Sequence, residues 1–321
     1  MKKIAVLADY LEPSHHALID STAARCGFAV DYYPDCRVPA ELAGTYEVVH
    51  GMPKPGDLKA FTGMKWFCGS FAGVDAYLDD ALYPSPEVML SNSSGAYGVT
   101  IAEHLIMVTL MLLRHADTYL HHADAHRWGP VMPMRSIIGS TITVLGTGDI
   151  GTEFARRAKA MSAKEIRGVR RTKKAADPAF DGVYTHAELD SLLPDTDILV
   201  MALPSTADTV GILSRDRIAL LPETAYVVNV GRGTAIDQPA LVEALNAGKL
   251  AGAALDVFEK EPIPAGDPVW DAKNLLITPH ISGQMSLGYT RDKNVALFCE
   301  DLENYAAGRP LKRYVDRKIG Y

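Results

Sequence analysis

Short apolar runs alternate with longer segments of helical periodicity along most of the chain. Ten of these runs are three to six residues long and rich in β-branched side chains, which is typical of strands covered on both faces. Helical patterns lie between them, for example at residues 101–114, 151–161 and 239–247. The alternation predicts an α/β fold with parallel sheets. The strands are predicted at residues 3–8, 28–33, 47–50, 66–68, 141–145, 165–169, 198–202, 226–230, 253–257 and 275–278.

The predicted strands fall into two series. The first ends near residue 95 and the second begins at residue 141, with an apolar helix and a polar connection, residues 119–136, between them. A chain of 321 residues is long enough for two domains of ordinary size. We therefore expect two α/β domains.

Composition and charge limit the classes of protein that need to be considered. Lys and Arg number 32 against 39 Asp and Glu, a net charge of −7, which argues against a protein that mainly binds nucleic acid or an anionic membrane. The four cysteines lack the spacing of a metal site, and the apolar run at residues 4–8 is too short for a secretory signal. We expect a soluble, cytoplasmic protein with free thiols and no metal.

A glycine-rich turn follows the predicted strand at residues 141–145 and opens a helix. In a dinucleotide-binding turn the first glycine permits the tight bend, the second lets a pyrophosphate approach the backbone, and the third allows the helix to pack closely on the strand. The helix N-terminus offers N–H groups and a partial positive charge to the phosphates. The setting therefore predicts a dinucleotide site at Gly146, Thr147, Gly148, Asp149, Ile150 and Gly151.

The next strand ends in basic residues where an NAD site would carry an acid for the ribose diol. Arg170, Arg171 and Thr172 are followed by two lysines, Lys173 and Lys174. Guanidinium groups and a hydroxyl suit a 2′-phosphate, so we predict that NADP(H) is preferred and that NAD(H) is possible. A solvated basic turn without a ligand is the alternative.

Three charged residues follow strands of the second series. They are Arg232, Glu261 and His280. Ligands of open α/β sheets bind outside the carboxyl ends of the strands, so these positions suit chemistry, although each residue alone could be an ordinary surface residue. Together they offer a cation for an anionic substrate, a carboxylate to hold an imidazolium, and an acid–base group near neutral pH.

The segments around these residues resemble the D-isomer-specific 2-hydroxyacid dehydrogenase family. The similar segments are Asn-Val-Gly-Arg-Gly at 229–233, Ala-Leu-Asp-Val-Phe-Glu at 254–259, Glu-Pro at 261–262 and Thr-Pro-His at 278–280. Gly-Ser-Phe-Ala-Gly-Val-Asp at 69–75 is similar to the family's substrate loop, and Ile-Ala-Glu-His at 101–104 to the start of its interdomain helix. The resemblance covers nearly the whole chain in the family's order.

The resemblance implies roles for individual residues. Arg232 would bind the substrate carboxylate and polarise the carbonyl, His280 would exchange a proton with the carbonyl oxygen, and Glu261 would hydrogen-bond His280 and favour its imidazolium form. Backbone N–H groups would hold the substrate carboxylate at Ala72, Gly73 and Val74. Further cofactor contacts would come from Pro204, Val230, Gly231 and, at the nicotinamide end, Asp256.

The resemblance also implies an architecture and an assembly. Two Rossmann-like or flavodoxin-like doubly wound parallel-sheet domains would enclose the active site in the cleft between them. A discontinuous substrate domain, residues 1–97 plus 286–321, would flank a dinucleotide-binding domain at residues 98–285. Members are usually homodimers joined through the cofactor domain, so we expect a homodimer.

The expected function is NADPH-dependent reduction of a small 2-keto acid to the D-2-hydroxy acid. Glyoxylate, hydroxypyruvate or a related acid is the expected substrate. An NAD-dependent D-2-hydroxyacid dehydrogenase is the main alternative. A non-catalytic protein that senses the dinucleotide is a further alternative from another functional class.

Overall fold

The chain forms two compact α/β units. The structure, a computed structural model, describes residues 1–173 and 177–321. One unit comprises Met1–Tyr97 together with Gln284–Tyr321, and the other comprises Gly98–Gly283. Each contains a sheet whose paired strands all run in parallel, so the predicted fold class is confirmed.

The strands and helices alternate along the chain. The strands are Lys2–Leu7 (β1), Phe28–Tyr32 (β2), Val48–Gly51 (β3), Trp66–Gly69 (β4), Met89–Ser91 (β5), Thr141–Leu145 (β6), Glu165–Arg170 (β7), Gly182–Thr185 (β8), Ile198–Met201 (β9), Tyr226–Asn229 (β10), Gly252–Leu255 (β11) and Leu275–Ile277 (β12). The helices are Pro13–Arg25 (α1), Ala40–Ala43 (α2), Gly98–Leu113 (α3), Ala116–Asp124 (α4), Asp149–Ala160 (α5), Leu189–Leu192 (α6), Arg215–Leu220 (α7), Gln238–Asn246 (α8) and Gly288–Ala306 (α9).

The first unit is built on a five-stranded sheet in the order β2-β1-β3-β4-β5. Successive side chains of a strand point to opposite faces, and β1 supplies both cores of the unit in this way. Ile4 and Val6 pack in one core with Phe298 of α9, while Ala5 and Leu7 belong to the core on the other face. Helix α9 therefore belongs to this unit although it lies near the end of the chain.

The second unit carries a seven-stranded sheet in the order β12-β11-β10-β9-β6-β7-β8 among its described residues. In the unit's own numbering this is the dinucleotide-binding order 3-2-1-4-5-6 with a seventh strand added. The direction of winding reverses between β6 and β9, and ligands of doubly wound sheets bind at such a switch point. The fold thus places a binding crevice at the carboxyl ends of β6 and β9.

The structure adds three elements that the sequence patterns did not predict. Strands β5 and β8 each lie at the edge of a sheet, and the four residues of β8 are all half-buried rather than buried. The polar connection predicted at residues 119–136 contains most of α4. Among the described residues no single helix is long and apolar enough to cross a membrane, and α3 and α4 pass that test only as a pair bent by 65°.

Candidate active site

The loops at the carboxyl edge of the second sheet pack so closely that glycine is required in them. A Cβ on Gly146, after β6, would lie 2.5 Å from the carbonyl oxygen of Ala202, after β9. A Cβ on Gly233, after β10, would lie 1.9 Å from the carbonyl carbon of Phe258, after β11. These two glycines therefore allow the loop after β6 to pack on the loop after β9, and the loop after β10 to pack on the loop after β11, at one edge of the sheet.

The turn between β6 and α5 has room for a pyrophosphate at its second glycine. Gly148 is the N-cap of α5, and no described atom lies within 4 Å of a Cβ built on it. By contrast, a Cβ on Gly151 would lie 1.9 Å from the carbonyl oxygen of Gly146, so α5 packs directly on the turn. The open backbone and the helix N-terminus together fit the phosphates of a dinucleotide. Thr147 lies in this turn, and Ile150 lies in the first turn of α5.

Asp149, the first residue of α5, joins this helix to the start of α3. Its carboxylate accepts a hydrogen bond of 2.7 Å from the backbone N–H of Gly98. A Cβ on Gly98 would lie 2.3 Å from the same carboxylate, so a glycine is needed for the approach. The Asp149 carboxylate therefore fixes the start of α3 against the start of α5.

The basic cluster lies at the end of β7. Arg170 is the last residue of the strand and is half-buried, whereas Arg171 and Thr172 are exposed in the turn that follows. Lys173 Nζ lies 3.7 Å from an oxygen of Glu188, and Lys174 lies outside the described residues. Two guanidinium groups and a hydroxyl therefore lie at the end of β7 and in the turn that follows it.

Asn229 holds the backbone on both sides of Gly231 and Arg232. Its buried amide donates to the carbonyl oxygen of Arg232 at 2.9 Å and accepts from the N–H of Gly231 at 3.0 Å. The Arg232 guanidinium donates in turn to the carbonyl oxygen of Gly231 at 2.7 Å. Pro204 and Val230 lie in the loops after β9 and β10. The sequence contained Asn229 in the matching segment, but nothing in its spacing indicated this function.

Glu261 and His280 form a hydrogen-bonded pair. Glu261 Oε2 lies 2.7 Å from His280 Nδ1, and Glu261 Oε1 accepts the N–H of Phe258 at 2.8 Å. The backbone after β11 therefore orients the Glu261 carboxylate toward the imidazole of His280, which follows β12. The contact through Nδ1 fixes the orientation of the imidazole ring relative to Glu261.

Asp256 holds the loop that carries His280. This carboxylate is 2% exposed; Oδ1 accepts from Thr278 Oγ1 at 2.6 Å and from Ile281 N at 2.9 Å, and Oδ2 accepts from Ser282 N at 3.0 Å. His280 itself has φ +51°, in the left-handed region that non-glycine residues seldom adopt, and its N–H donates to the carbonyl oxygen of Asp256 at 2.8 Å. Sequence reasoning assigned Asp256 to the cofactor and missed this clamp.

A half-buried histidine lies beside this clamp. His104 of α3 has Nε2 3.4 Å from Thr278 Oγ1. Burial lowers the pKa of His104 below its ordinary value, and the charge of Asp256 opposes this shift. The imidazole is therefore favoured in its neutral form.

The predicted substrate loop lies in the first unit, directly after β4. Four consecutive carbonyl oxygens accept hydrogen bonds from residues 92–97: Gly69 from Ser93 Oγ at 2.9 Å, Ser70 from Tyr97 Oη at 2.7 Å, Phe71 from Ser93 N at 2.9 Å, and Ala72 from Asn92 Nδ2 at 2.7 Å. Within residues 1–173 and 177–321, no acceptor takes the N–H groups of Ala72, Gly73 and Val74. A loop with fixed carbonyls and available N–H groups suits an anion.

A known family model covers most of the second unit. The model of the D-isomer specific 2-hydroxyacid dehydrogenase NAD binding domain matches residues 106–282, which is more than half of the chain. The chain belongs to the D-isomer-specific 2-hydroxyacid dehydrogenase family. The resemblance seen in the sequence is confirmed, and the protein is an NAD(P)-dependent dehydrogenase or reductase of this family.

Individual members of the D-isomer-specific 2-hydroxyacid dehydrogenase family are similar over most of the chain. Glyoxylate/hydroxypyruvate reductase A of Klebsiella pneumoniae strain 342 is 32% identical over 257 residues, 78% of this chain and 80% of the relative. An NADPH-dependent glyoxylate/hydroxypyruvate reductase from Sinorhizobium meliloti, solved with NADP and sulfate, is 26% identical with a TM-score of 0.83 over 100% of both chains. A family member from Xanthobacter autotrophicus Py2, solved with NADPH and MES, is 27% identical with a TM-score of 0.82 over 100% of this chain and 99% of that one.

Proposed function

We propose that the protein reduces a small 2-keto acid to the D-2-hydroxy acid with NADPH, and that His280 supplies the proton. The observation that carries this proposal is the 2.7 Å bond between Glu261 and His280 Nδ1. Glu261 follows β11, His280 follows β12 and Arg232 follows β10, which are consecutive strands in a sheet of dinucleotide-binding order. A carboxylate, an acid–base group and a guanidinium thus follow three adjacent strands.

The Glu261 carboxylate orients the imidazole for proton transfer. With Nδ1–H donated to Glu261, the proton on Nε2 is the one that His280 gives to the substrate carbonyl oxygen during reduction. The same carboxylate stabilises the positive charge that His280 carries before this transfer. In oxidation His280 Nε2 takes the proton back from the hydroxyl.

Arg232 and the loop of the first unit bind the anionic end of the substrate. The guanidinium pairs with the carboxylate and polarises the carbonyl oxygen, where negative charge develops. The N–H groups of Ala72, Gly73 and Val74 bind the same carboxylate. The nicotinamide, when bound, supplies the hydride to the carbonyl carbon. Asp256 acts by fixing the His280 loop and keeps acceptor capacity for the nicotinamide end.

The basic end of β7 supports the choice of NADPH. Arg170 ends β7, and Arg171 and Thr172 follow it, at the sequence position where an NAD site would carry an acid for the ribose diol; a 2′-phosphate needs cations and a hydroxyl there. The relatives from Sinorhizobium meliloti and Xanthobacter autotrophicus were solved with NADP and NADPH. Reductases of glyoxylate and hydroxypyruvate among the relatives make these two acids the first substrates to test.

A comparison of the two cofactors tests the proposal. Purified protein should oxidise NADPH with glyoxylate or hydroxypyruvate, with a higher kcat/KM for NADPH than for NADH. Arg170→Asp should narrow or reverse this preference. Lys164→Asp, the same charge change at the opposite end of β7, is the matched control and should leave it unchanged. Absence of NADPH oxidation across a broad panel of 2-keto acids would refute the proposed function, and a strong NADH preference would refute the cofactor assignment.

We also propose that the protein is a homodimer joined through the second unit. Exposed apolar side chains concentrate on α4 and the segment after it: Leu120, Trp128, Met132, Met134 and Ile138. Such a patch is costly to leave in water and marks an interaction surface. Sedimentation should give about twice the chain mass of 34.8 kDa. A single species of one chain mass at micromolar concentration would contradict this.

A further inference from the structure

A closed ring of side-chain hydrogen bonds supports the substrate loop of the first unit. Tyr10, after β1, has its hydroxyl 2.6 Å from Ser70 Oγ and 2.8 Å from Asn294 Oδ1 on α9. Asn294 Nδ2 donates to Ser93 Oγ at 2.5 Å, and Ser93 Oγ donates to the carbonyl oxygen of Gly69 at 2.9 Å. The ring begins at the side chain of Ser70 and ends at the backbone of its neighbour Gly69.

The chemistry of these groups fixes the direction of each bond. An amide oxygen only accepts, so the Tyr10 hydroxyl donates to Asn294, and the Ser70 hydroxyl must then donate to Tyr10. Burial raises the pKa of the Tyr10 hydroxyl, which keeps it a donor. The Asn294 amide group donates to Ser93, whose own proton goes to Gly69. Asparagine at position 294 therefore supplies both the acceptor and the donor that the ring requires.

The ring acts on the segment that begins the loop of N–H donors. Asn294 is 0% exposed, and its side-chain bonds reach residues of the loops after β1 and β5 rather than the loop itself. Through Ser70 and Gly69 it fixes the two residues that lead into positions 72–74. Ser93, which the ring holds through its hydroxyl, also donates its backbone N–H to the carbonyl oxygen of Phe71 at 2.9 Å, and in a trans peptide the N–H of Ala72 then points away from that carbonyl.

We propose that Asn294 is a positioning residue, which with Tyr10 orients the N–H groups of Ala72, Gly73 and Val74 toward the carboxylate of the substrate. The inference rests on the proposed function, because it assigns that carboxylate as the ligand of the loop. Its effect is on binding of the keto acid. The site of the dinucleotide and the proton transfer by His280 are not part of the ring.

Two substitutions open the ring at different places. Tyr10→Phe removes one oxygen and keeps the aromatic ring in the core, and Asn294→Leu removes both amide groups at similar volume. Each should raise KM for glyoxylate and hydroxypyruvate by about three- to tenfold, the usual effect of losing one buried hydrogen bond, with kcat and KM for NADPH nearly unchanged. The KM of the double variant for the keto acid should be no higher than that of the more impaired single variant, because either change already opens the ring.

Matched controls on α9 distinguish positioning from general loss of stability. Tyr305→Phe removes a hydroxyl that donates to Glu47 at 2.9 Å, and Asn304→Leu removes an amide that contacts Asp301 and Arg309. Neither residue bonds to the ring or to the loop, so both variants should keep the wild-type KM for the keto acid.

Hydrogen–deuterium exchange gives a readout that needs no turnover. Tyr10→Phe and Asn294→Leu should speed exchange in the peptide spanning residues 69–75, and the two control variants should not. Wild-type activity with unchanged KM and unchanged exchange in the ring variants would overturn the inference. Inactive wild-type protein with faster exchange in the ring variants would instead overturn the proposed function while upholding the control of the loop by the ring.

Discussion

Glu261 and His280 are partly exposed, with 35% and 51% of their side chains accessible, so the pair can be altered without opening a core. His280→Gln should lower kcat by about 10²- to 10⁴-fold, the usual contribution of a general acid, while NADPH binding persists. Glu261→Gln should lower kcat by about 10- to 100-fold, because the neutral amide removes the charge and leaves one acceptor oxygen for the N–H groups of Phe258 and His280.

Steady-state kinetics and direct titration of NADPH measure the two effects separately. Glu259→Gln is the matched control, since Glu259 lies two residues from Glu261 and is exposed. It should behave as the wild type. Full activity in His280→Gln would reject His280 as the proton donor.

The sequence identified the charged residues of the candidate site but not the polar residues that hold them. Arg232, Glu261 and His280 stand out because each is a charge placed just after an apolar strand. Asn229 and Asp256 act through backbone groups, and the partners of Asp256 lie 22 to 26 residues away. The bonds of Asp256 exist only once β11 and β12 are adjacent, and those of Asn229 depend on the conformation of the turn after β10, so neither spacing nor residue type encodes them.

Among the elements, the two strands that the sequence patterns do not predict, β5 and β8, both lie at sheet edges, whereas the edge strands β2 and β12 are predicted. The bounds of β6 match the prediction at both ends, because all five of its residues are buried and apolar or Thr. Strand β8 has only half-buried residues and includes Gly182 at its start, so its sequence lacks an apolar run. The pattern records burial on both faces, and a strand at an edge has less of it.

The junction of β6 and α5 predicts opposite outcomes for two glycines of one motif. Gly151→Ala should destabilise the second unit, because the added Cβ would meet the Gly146 carbonyl oxygen at 1.9 Å and push the helix away. Gly148→Ala should leave the thermal midpoint almost unchanged, since its Cβ would face open space, yet weaken NADPH binding at the pyrophosphate. Calorimetry and NADPH titration test both variants. Equal loss of stability in the two would contradict the geometry.

The contact between β3 and α9 predicts a pH dependence of stability. His50 is fully buried and stacks on Phe298 with ring centroids 4.0 Å apart, and burial lowers the pKa of His50 from 6.5 to about 4. Between pH 6.5 and 4 the unfolded chain binds a proton that the folded chain excludes, so the free energy of unfolding falls as the pH falls. This one group should account for about 3 kcal/mol across that range.

Denaturant unfolding followed by the fluorescence of buried Trp66, in the same core, measures this dependence. His50→Gln cannot take up the proton, so the stability of this variant should fall less steeply between pH 6.5 and 4. His121→Gln, at an exposed histidine of α4, should keep the wild-type slope. Parallel pH curves for His50→Gln and wild type would show that His50 does not titrate abnormally.

At the scale of the whole molecule, the net charge of −7 describes the surface but not the cofactor site. Residues 170–174 contain four basic residues and no acid, so positive charge is concentrated in the sequence at the end of β7 and directly after it. A polyanionic cofactor is repelled by the chain as a whole and attracted by this segment. Because NADPH carries the additional phosphate, the local attraction acts on it more than on NADH.

Ionic strength should therefore separate the two cofactors. Raising the salt from about 0.05 to 0.5 M shortens the Debye length well below 10 Å and should raise KM for NADPH several-fold while changing KM for NADH less. In Arg170→Ala the two cofactors should respond to salt more alike, whereas in Lys164→Ala the difference should persist, because Lys164 lies at the other end of β7. Equal salt dependence of both cofactors in the wild-type protein would mean that the basic turn is solvated and that the 2′-phosphate binds elsewhere.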